Sequence, residues 1–397
     1  MRDVYVVDAA RTATGKMGGT LKSIQPEDLA VVVLRAVLER NGLDPAQVDE
    51  VLLGQTRQST DAANIARVAA LRAGYPVETA ATTLMIQCGS GMKAVHVGAD
   101  AIRCGHQDVV VAGGTESLSN APYYLRGARY GYNVGNAELV DSVTEGQLRS
   151  QPIELFGSFN MGVTAENVAE RYEISREEQD AFALESHRRA RAATEAGRFA
   201  DEIVPLAVPQ RKADPILFDK DEQIRDTSLE KMAKLKPVFR EGGSVTAGNA
   251  CGRSDGASAL LLMSGDKVKE LGYRPMARII GQGVCGVDPR YMGLGPIESS
   301  RRALKEAGIT VADLGLIELN EAFAAQSLAV IKELELDRSI TNVNGGAIAL
   351  GHALGSSGSR ILTTLVHEMR RRGVRYGLAT LCIGGGQGTA TVLELCP

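Results

Sequence analysis

One order of elements is written twice in this chain, and that repetition restricts it to a duplicated α/β architecture. Residues 1–117 predict a strand at 3–8, a helix opened by Pro26-Glu27-Asp28 and a strand at 50–55. A helix near 64–73, a strand at 80–86, a helix over about 89–103 and a strand at 108–112 follow. Residues 275–397 repeat the order with a strand near 277–285, a helix after Pro296, a strand at 314–319 and a helix at 321–334. A short strand at 341–344, a helix at about 355–372 and strands at 376–382 and 388–395 complete that half. The runs Asp108 to Gly114 and Tyr376 to Gly386 are similar strand-to-glycine endings. Between the halves the character changes: a Tyr/Arg/Gly loop at 123–135 precedes a helix over 163–171. A longer helix starts at the capping box Ser175-Arg-Glu-Glu178 and stops before Gly197. The expected organisation is an N-terminal half at 1–117, an inserted loop domain at 118–270 and a C-terminal half at 271–397.

Composition narrows the chemistry. Lys plus Arg is 44 against Asp plus Glu 48, a net charge of -4, which argues against affinity built on phosphate neutralisation along a nucleic acid. An anionic ligand must then meet a local basic patch, and Lys231, Lys234, Lys236 and Arg240 form one without an intervening acid. That run reads either as a solvated face or as a landing place for a phosphorylated ligand. The six cysteines never form C-x-x-C and never stand beside a His pair, so neither a zinc site nor a disulfide framework is expected. No window reaches 18 apolar residues, and the expectation is a cytoplasmic protein without a membrane span.

Several segments carry chemistry. Gly281-Gln-Gly283-Val-Cys-Gly286 is a literal G-x-G-x-x-G after a strand, but Pro289 follows too soon for the helix that a dinucleotide site requires. Cys88 stands where a strand meets a glycine-lined turn and a helix begins, a place that lowers a thiol's pKa. A buried, inert cysteine is the commoner case, yet the small flanking residues leave room for a substrate. His352 sits in the glycine-studded loop 345–358, at the place in the second half that Cys88 takes in the first, and is the best candidate base for it. Cys382 ends the last long strand against glycines, and Asn320 stands at a strand-to-helix junction where it could be a helix N-cap and nothing more.

Together these segments resemble the thiolase family, and the match runs from Asp8-Ala-Ala-Arg-Thr12 to the last strand. Its markers include Cys88-Gly-Ser-Gly91, Ala112-Gly-Gly-Thr-Glu-Ser117, Met161-Gly-Val-Thr-Ala-Glu-Asn167 and Val245-Thr-Ala-Gly-Asn249. Gly293-Leu-Gly-Pro296, Asn320-Glu-Ala-Phe-Ala324, Gly351-His352 and Cys382-Ile-Gly-Gly-Gly386 continue the series. The resemblance implies two thiolase-like βαβαβαββ halves in a five-layer α-β-α-β-α arrangement, a loop domain that binds coenzyme A, and a homotetramer built as a dimer of dimers. The implied activity condenses two acetyl-CoA to acetoacetyl-CoA plus CoA and runs the reverse thiolysis, with longer 3-ketoacyl chains as the alternative. CoA and its thioesters are then substrates, and no tightly bound cofactor or metal is expected.

The resemblance also implies roles. Cys88 takes the acyl group, His352 draws off its proton and Cys382 moves the proton of the second substrate's methyl carbon. One oxyanion hole is His352 with a water held by Asn320, the other the backbone N–H groups of Cys88 and Gly384. Arg225, Met232, Leu235 and Phe239 are expected around adenine and pantetheine, with Ala247, Cys251, Met161 and Phe323 along the arm. Four positions depart from the family pattern: Cys251 stands for Ser, Arg253-Ser254 for an apolar residue and Asn, Asn160 for the His of short-chain members, and Ala353 for Pro.

Overall fold

The computed structural model describes residues 2–397. Five strands build the first half: β1 (Val4–Arg11), β2 (Glu50–Gly54), β3 (Ala80–Leu84), β4 (Val109–Ser117) and β5 (Ser254–Ser264). Its helices are α1 (Pro26–Glu39), α2 (Ile65–Ala73) and α3 (Ser90–Arg103). Helices α4 (Met161–Tyr172) and α5 (Arg176–Glu195) belong to the intervening segment. The second half has β6 (Ala277–Gly286), β7 (Leu316–Leu319), β8 (Tyr376–Ile383) and β9 (Gln387–Leu395). Its main helices are α6 (Gly295–Ala307), α7 (Ala324–Leu334) and α8 (Leu354–Arg372).

The strands follow the order β7-β8-β9-β6-β1-β5-β4-β2-β3, and the halves join where Tyr5 and Val6 pair with Arg278 and Ala277. Each half repeats one pairing rule. β3, β2 and β4 are parallel, then β5 and β1 antiparallel; in the second half a bridge at Thr341, β7 and β8 are parallel, then β9 and β6 antiparallel. Three apolar cores fill the spaces between five layers, the central one lying on both sides of its helices. One lies under α1 and α2, a second surrounds α3 and α8 between the half-sheets, and a third lies under α6 and α7. The central helices cross closely because glycines face each other's backbone: a Cβ on Gly91 would stand 2.7 Å from the Gly355 carbonyl, and one on Gly358 2.5 Å from the Met92 nitrogen.

Three expectations are corrected. Residues 254–264 lie inside the first half-sheet, between β1 and β4, so the inserted segment ends at 253 and not at 270. The repeat itself requires this strand: β5 answers β9, and the insertion occupies the place of the tight Gly384–Gly386 turn. The expected strand at 341–344 is reduced to one bridge, because Asn342 turns to φ 48°. Its side chain replaces a neighbouring strand by bonding the N–H and carbonyl of Leu319, each at 2.8 Å. Finally, β4 continues through Gly113 and Gly114 to Ser117, since a Cβ on those glycines would strike the carbonyls of Ser258 and Gly355. The same logic accounts for Gly281 and Gly283 in β6, which lie against the Ala303 and Ser299 carbonyls of α6 as a packing face.

A buried ion network fastens the inserted segment to β1. Arg11 donates to Glu202 at 2.6 Å and to both oxygens of Asp221 at 2.8 and 3.0 Å, with its guanidinium over Phe199. Asp221 also accepts from the Thr14 N–H at 2.8 Å. Removing one partner leaves an uncompensated buried charge, so Asp221→Ala is expected to cost about 3–5 kcal/mol. Urea unfolding checks this, and an unchanged midpoint would show that the pair does not hold the segment.

Candidate active site

The turns that follow β3 and the Thr341 bridge, and the end of β8, converge on one cavity. It is lined by Cys88, His352, Cys382, Gly384, Cys251, Met161, Phe239 and Phe323 among others. Cys88 is presented by a strained turn: Gln87 holds φ 54°, and the Ser90 hydroxyl accepts from Ile86 N–H at 2.9 Å and donates to Gln87 O at 2.6 Å. The Gly384 N–H points at the sulfur and Arg57 places positive charge near it, yet burial outweighs both and pushes the Cys88 thiol up. This reverses the depressed pKa expected from the helix N-terminus alone. A thiol so placed rests protonated and needs a base.

His352 lines the same cavity and its ring is held by its neighbours. Its Nδ1 lies 2.6 Å from the Ser357 hydroxyl, which in turn donates to the Ala353 carbonyl at 3.1 Å. The hydroxyl proton is therefore committed, so Nδ1 carries the proton it donates to Ser357, and Nε2 keeps a bare lone pair. Nε2 is buried without a protein partner. Burial, and then the charge of Arg360, push the His352 pKa down to about 3, so the ring is neutral. Cys382 is also a neutral thiol, raised by burial and by the neighbouring thiols Cys88 and Cys251. Cys251, placed by sequence reasoning along the ligand arm, joins this cavity as a third thiol, pushed up to about 12 chiefly by burial.

Asn320 lies behind the wall, fully buried at the end of β7. Both of its side-chain polar atoms lack a protein partner, which a small polar molecule such as water can supply. It caps no helix, since α7 starts at Ala324 with Phe323 as its cap.

The remaining expected contacts divide. Phe239 meets Phe323 edge-to-face with centroids 6.2 Å apart, and Met161 stands 3.2 Å from where a Cβ on Gly384 would sit. Arg225 lies in a separate surface groove with His187 and Arg191, and its Nη1 donates to the Ala247 carbonyl at 2.8 Å. Leu235 is exposed beneath Gly248. Met232 is only 1% exposed and packs in the apolar core with Val168 and Phe182, outside the lining of this cavity. Of the basic run, Arg240 is engaged with Glu170 and Asn167, while Lys234 and Lys236 are exposed. Sequence reasoning missed Ser357, legible only as a hydroxyl on the first turn of α8, and Arg57, which follows β2 with no spacing pattern to mark it. Among the described residues no cluster of three His, Cys, Asp or Glu could hold a metal ion, and no helix is long and apolar enough to cross a membrane.

Comparison with known proteins gives the family. The family models described as "Thiolase, N-terminal domain" and "Thiolase, C-terminal domain" match residues 4–266 and 273–395. The chain belongs to the thiolase family. An acetyl-CoA acetyltransferase of Pseudomonas aeruginosa is 56% identical to this thiolase over 394 residues, covering 99% of each chain. The crystal structure of the Bacillus anthracis acetyl-CoA acetyltransferase superposes with a TM-score of 0.96 at 48% identity, covering 100% of this chain and 99% of that one. Human mitochondrial 3-ketoacyl-CoA thiolase in complex with CoA superposes with a TM-score of 0.95 at 45% identity, covering 100% and 98%. The five-layer thiolase fold expected from the sequence is thus the fold of this chain, and the first model's end at 266 agrees with β5 as part of the first half.

Proposed function

We propose that this thiolase is an acetyl-CoA C-acetyltransferase that condenses two acetyl-CoA to acetoacetyl-CoA plus CoA and catalyses the reverse thiolysis. The observation that carries the reading is the bare His352 Nε2 in one cavity with two neutral thiols, Cys88 and Cys382.

In thiolysis, His352 Nε2 takes the Cys88 proton and the sulfur attacks the C3 keto carbon. The C2–C3 bond breaks, its electron pair goes to C2, and the Cys382 thiol protonates that carbon, releasing acetyl-CoA. The acyl group stays on Cys88 as a thioester, so one difficult transfer becomes two easier ones. Free CoA then gives its thiol proton to the Cys382 thiolate and attacks the thioester, and Cys88 recovers its proton from His352. Condensation is the same sequence reversed. The N–H groups of Cys88 and Gly384 hold one developing oxyanion; protonated His352 Nε2 and a water on Asn320 hold the other. Each such donor contributes about 3–4 kcal/mol when aimed at the transition state.

CoA is bound as a substrate and not as a resident cofactor. Phe239, Phe323, Met161 and Ala247 flank the pantetheine arm, and Arg225 with Lys234 and Lys236 meets its phosphates; the human relative whose structure holds CoA supports CoA as the ligand. Open β-structure supports a homotetramer: β3 is an edge strand with exposed residues, and the hairpin arm at 123–141 carries Tyr130 at 91% and Val134 at 98% exposure. Six free cysteines suit a reducing cytoplasm, and the reaction belongs to the acetyl-CoA branch of lipid metabolism.

The likeness to a 3-ketoacyl-CoA thiolase favours a second reading, cleavage of longer chains. Relative kcat/KM for acetoacetyl-CoA and 3-ketohexanoyl-CoA separates the two. The proposal predicts that acetoacetyl-CoA is the better by at least about tenfold, since binding differences of one or two methylenes reach that size. Equal or better cleavage of the longer chain would overturn it.

A further inference from the structure

The catalytic cavity contains a cation that makes no bond to substrate in the acetyl-transfer steps above. Arg57 is only 9% exposed and lines the cavity together with Cys88. Its guanidinium makes one long bond, from Nη1 to the Thr56 carbonyl at 3.4 Å, and its buried Nε has no partner. Among the described residues no carboxylate lies within ion-pair distance of it. Glu116, which bonds the Arg57 backbone, is already committed: its oxygens accept from Thr56 N–H at 3.0 Å, Thr56 hydroxyl at 2.5 Å, Arg57 N–H at 3.0 Å and Gly355 N–H at 2.9 Å. Glu116 therefore fixes the Arg57 backbone to the start of α8 and leaves the side chain free. Space is reserved for the guanidinium, because a Cβ on Gly146 would stand 2.7 Å from its central carbon. Arg253, which is exposed, adds a second positive charge to the same lining.

An unpaired buried guanidinium is costly to keep, and its planar fork matches a carboxylate through two parallel hydrogen bonds. The phosphates of CoA do not meet this need, since they lie at the far end of the pantetheine arm from the reacting thioester. The free end of the acyl group on Cys88 can. We propose that Arg57 receives the terminal carboxylate of a short acyl chain, so that this thiolase also cleaves 3-oxo-dicarboxylic acids carried as their mono-CoA thioesters. The inference rests on the thiolase reading above. The bonds made and broken are the same: the C2–C3 bond breaks, acetyl-CoA leaves with a proton from Cys382, and a carboxyalkanoyl group stays on Cys88 until CoA removes it.

The test compares kcat/KM for 3-oxoadipyl-CoA and 3-oxohexanoyl-CoA, which share a six-carbon chain and differ in its terminal group. Wild type is expected to favour the carboxylate substrate, and Arg57→Gln to lower that preference at least about tenfold, chiefly through KM. Arg57→Lys, which keeps the charge without the fork, is expected to fall between them. A preference that Arg57→Gln leaves unmoved, or a wild type that favours the uncharged chain, would overturn the assignment. Should Arg57→Gln fail to fold, inhibition of wild-type acetoacetyl-CoA cleavage decides: succinyl-CoA must inhibit more strongly than butyryl-CoA, and equal inhibition would overturn it. Acetoacetyl-CoA cleavage without any preference for the carboxylate sinks the Arg57 role alone, whereas absence of acetoacetyl-CoA cleavage sinks the parent reading as well.

Discussion

Cys88→Ala is expected to lower kcat for acetoacetyl-CoA thiolysis by on the order of 10⁴-fold or more, the scale seen when an enzyme loses its covalent nucleophile. No neighbouring group can substitute. Cys382 and Cys251 share the cavity, but burial raises both thiols, and neither is addressed by the Gly384 N–H that points at Cys88. The loss should appear in kcat with little change in substrate affinity, because the cavity walls and the Ser90-locked turn do not depend on the sulfur. Thermal unfolding of the variant beside wild type confirms that the fold is retained. Residual activity within tenfold of wild type would assign the nucleophile elsewhere.

His352→Asn is expected to lower kcat/KM by about 10²–10⁴-fold, the usual contribution of a positioned general base. Its pH dependence distinguishes a base from a structural residue. In wild type His352 must be neutral to accept the Cys88 proton, and with its pKa pushed down to about 3 it stays neutral across pH 5–8. The wild-type profile should then show no acid limb near 6.5. Without the imidazole, reaction depends on Cys88 ionising by itself, and burial pushes that thiol above its ordinary value. The variant's rate should therefore rise about tenfold per pH unit through the neutral range, because the thiolate fraction does. A flat variant profile would contradict the role, and a wild-type acid limb near 6.5 would contradict the depressed pKa of His352.

Much of this was legible in the sequence, and the rest failed for definable reasons. The duplication showed in element order because strand and helix periodicities are local, and Cys88, His352 and Cys382 each stood beside glycines at the end of a strand or in a turn. The boundary at 270 was wrong because β5 pairs with β1 and β4 across most of the chain, and no local pattern reports such a partner. Met232, given a ligand role by resemblance, lies buried in the core, while Cys251 shares one cavity with Cys88 and Cys382. Arg57 and Ser357 were missed because each matters through what it faces. An arginine after a strand and a serine in a helix are common; an orphaned guanidinium and a hydroxyl that fixes a tautomer exist only in three dimensions.

The most direct test of the central claim is intact-protein and peptide mass spectrometry after brief mixing with acetyl-CoA and acid quenching. A single acetyl group on the peptide containing Cys88, absent in Cys88→Ala and removed by added CoA, is the predicted result. An acetyl group on Cys382 or Cys251 instead, or turnover with no acyl-enzyme at any time, would contradict it.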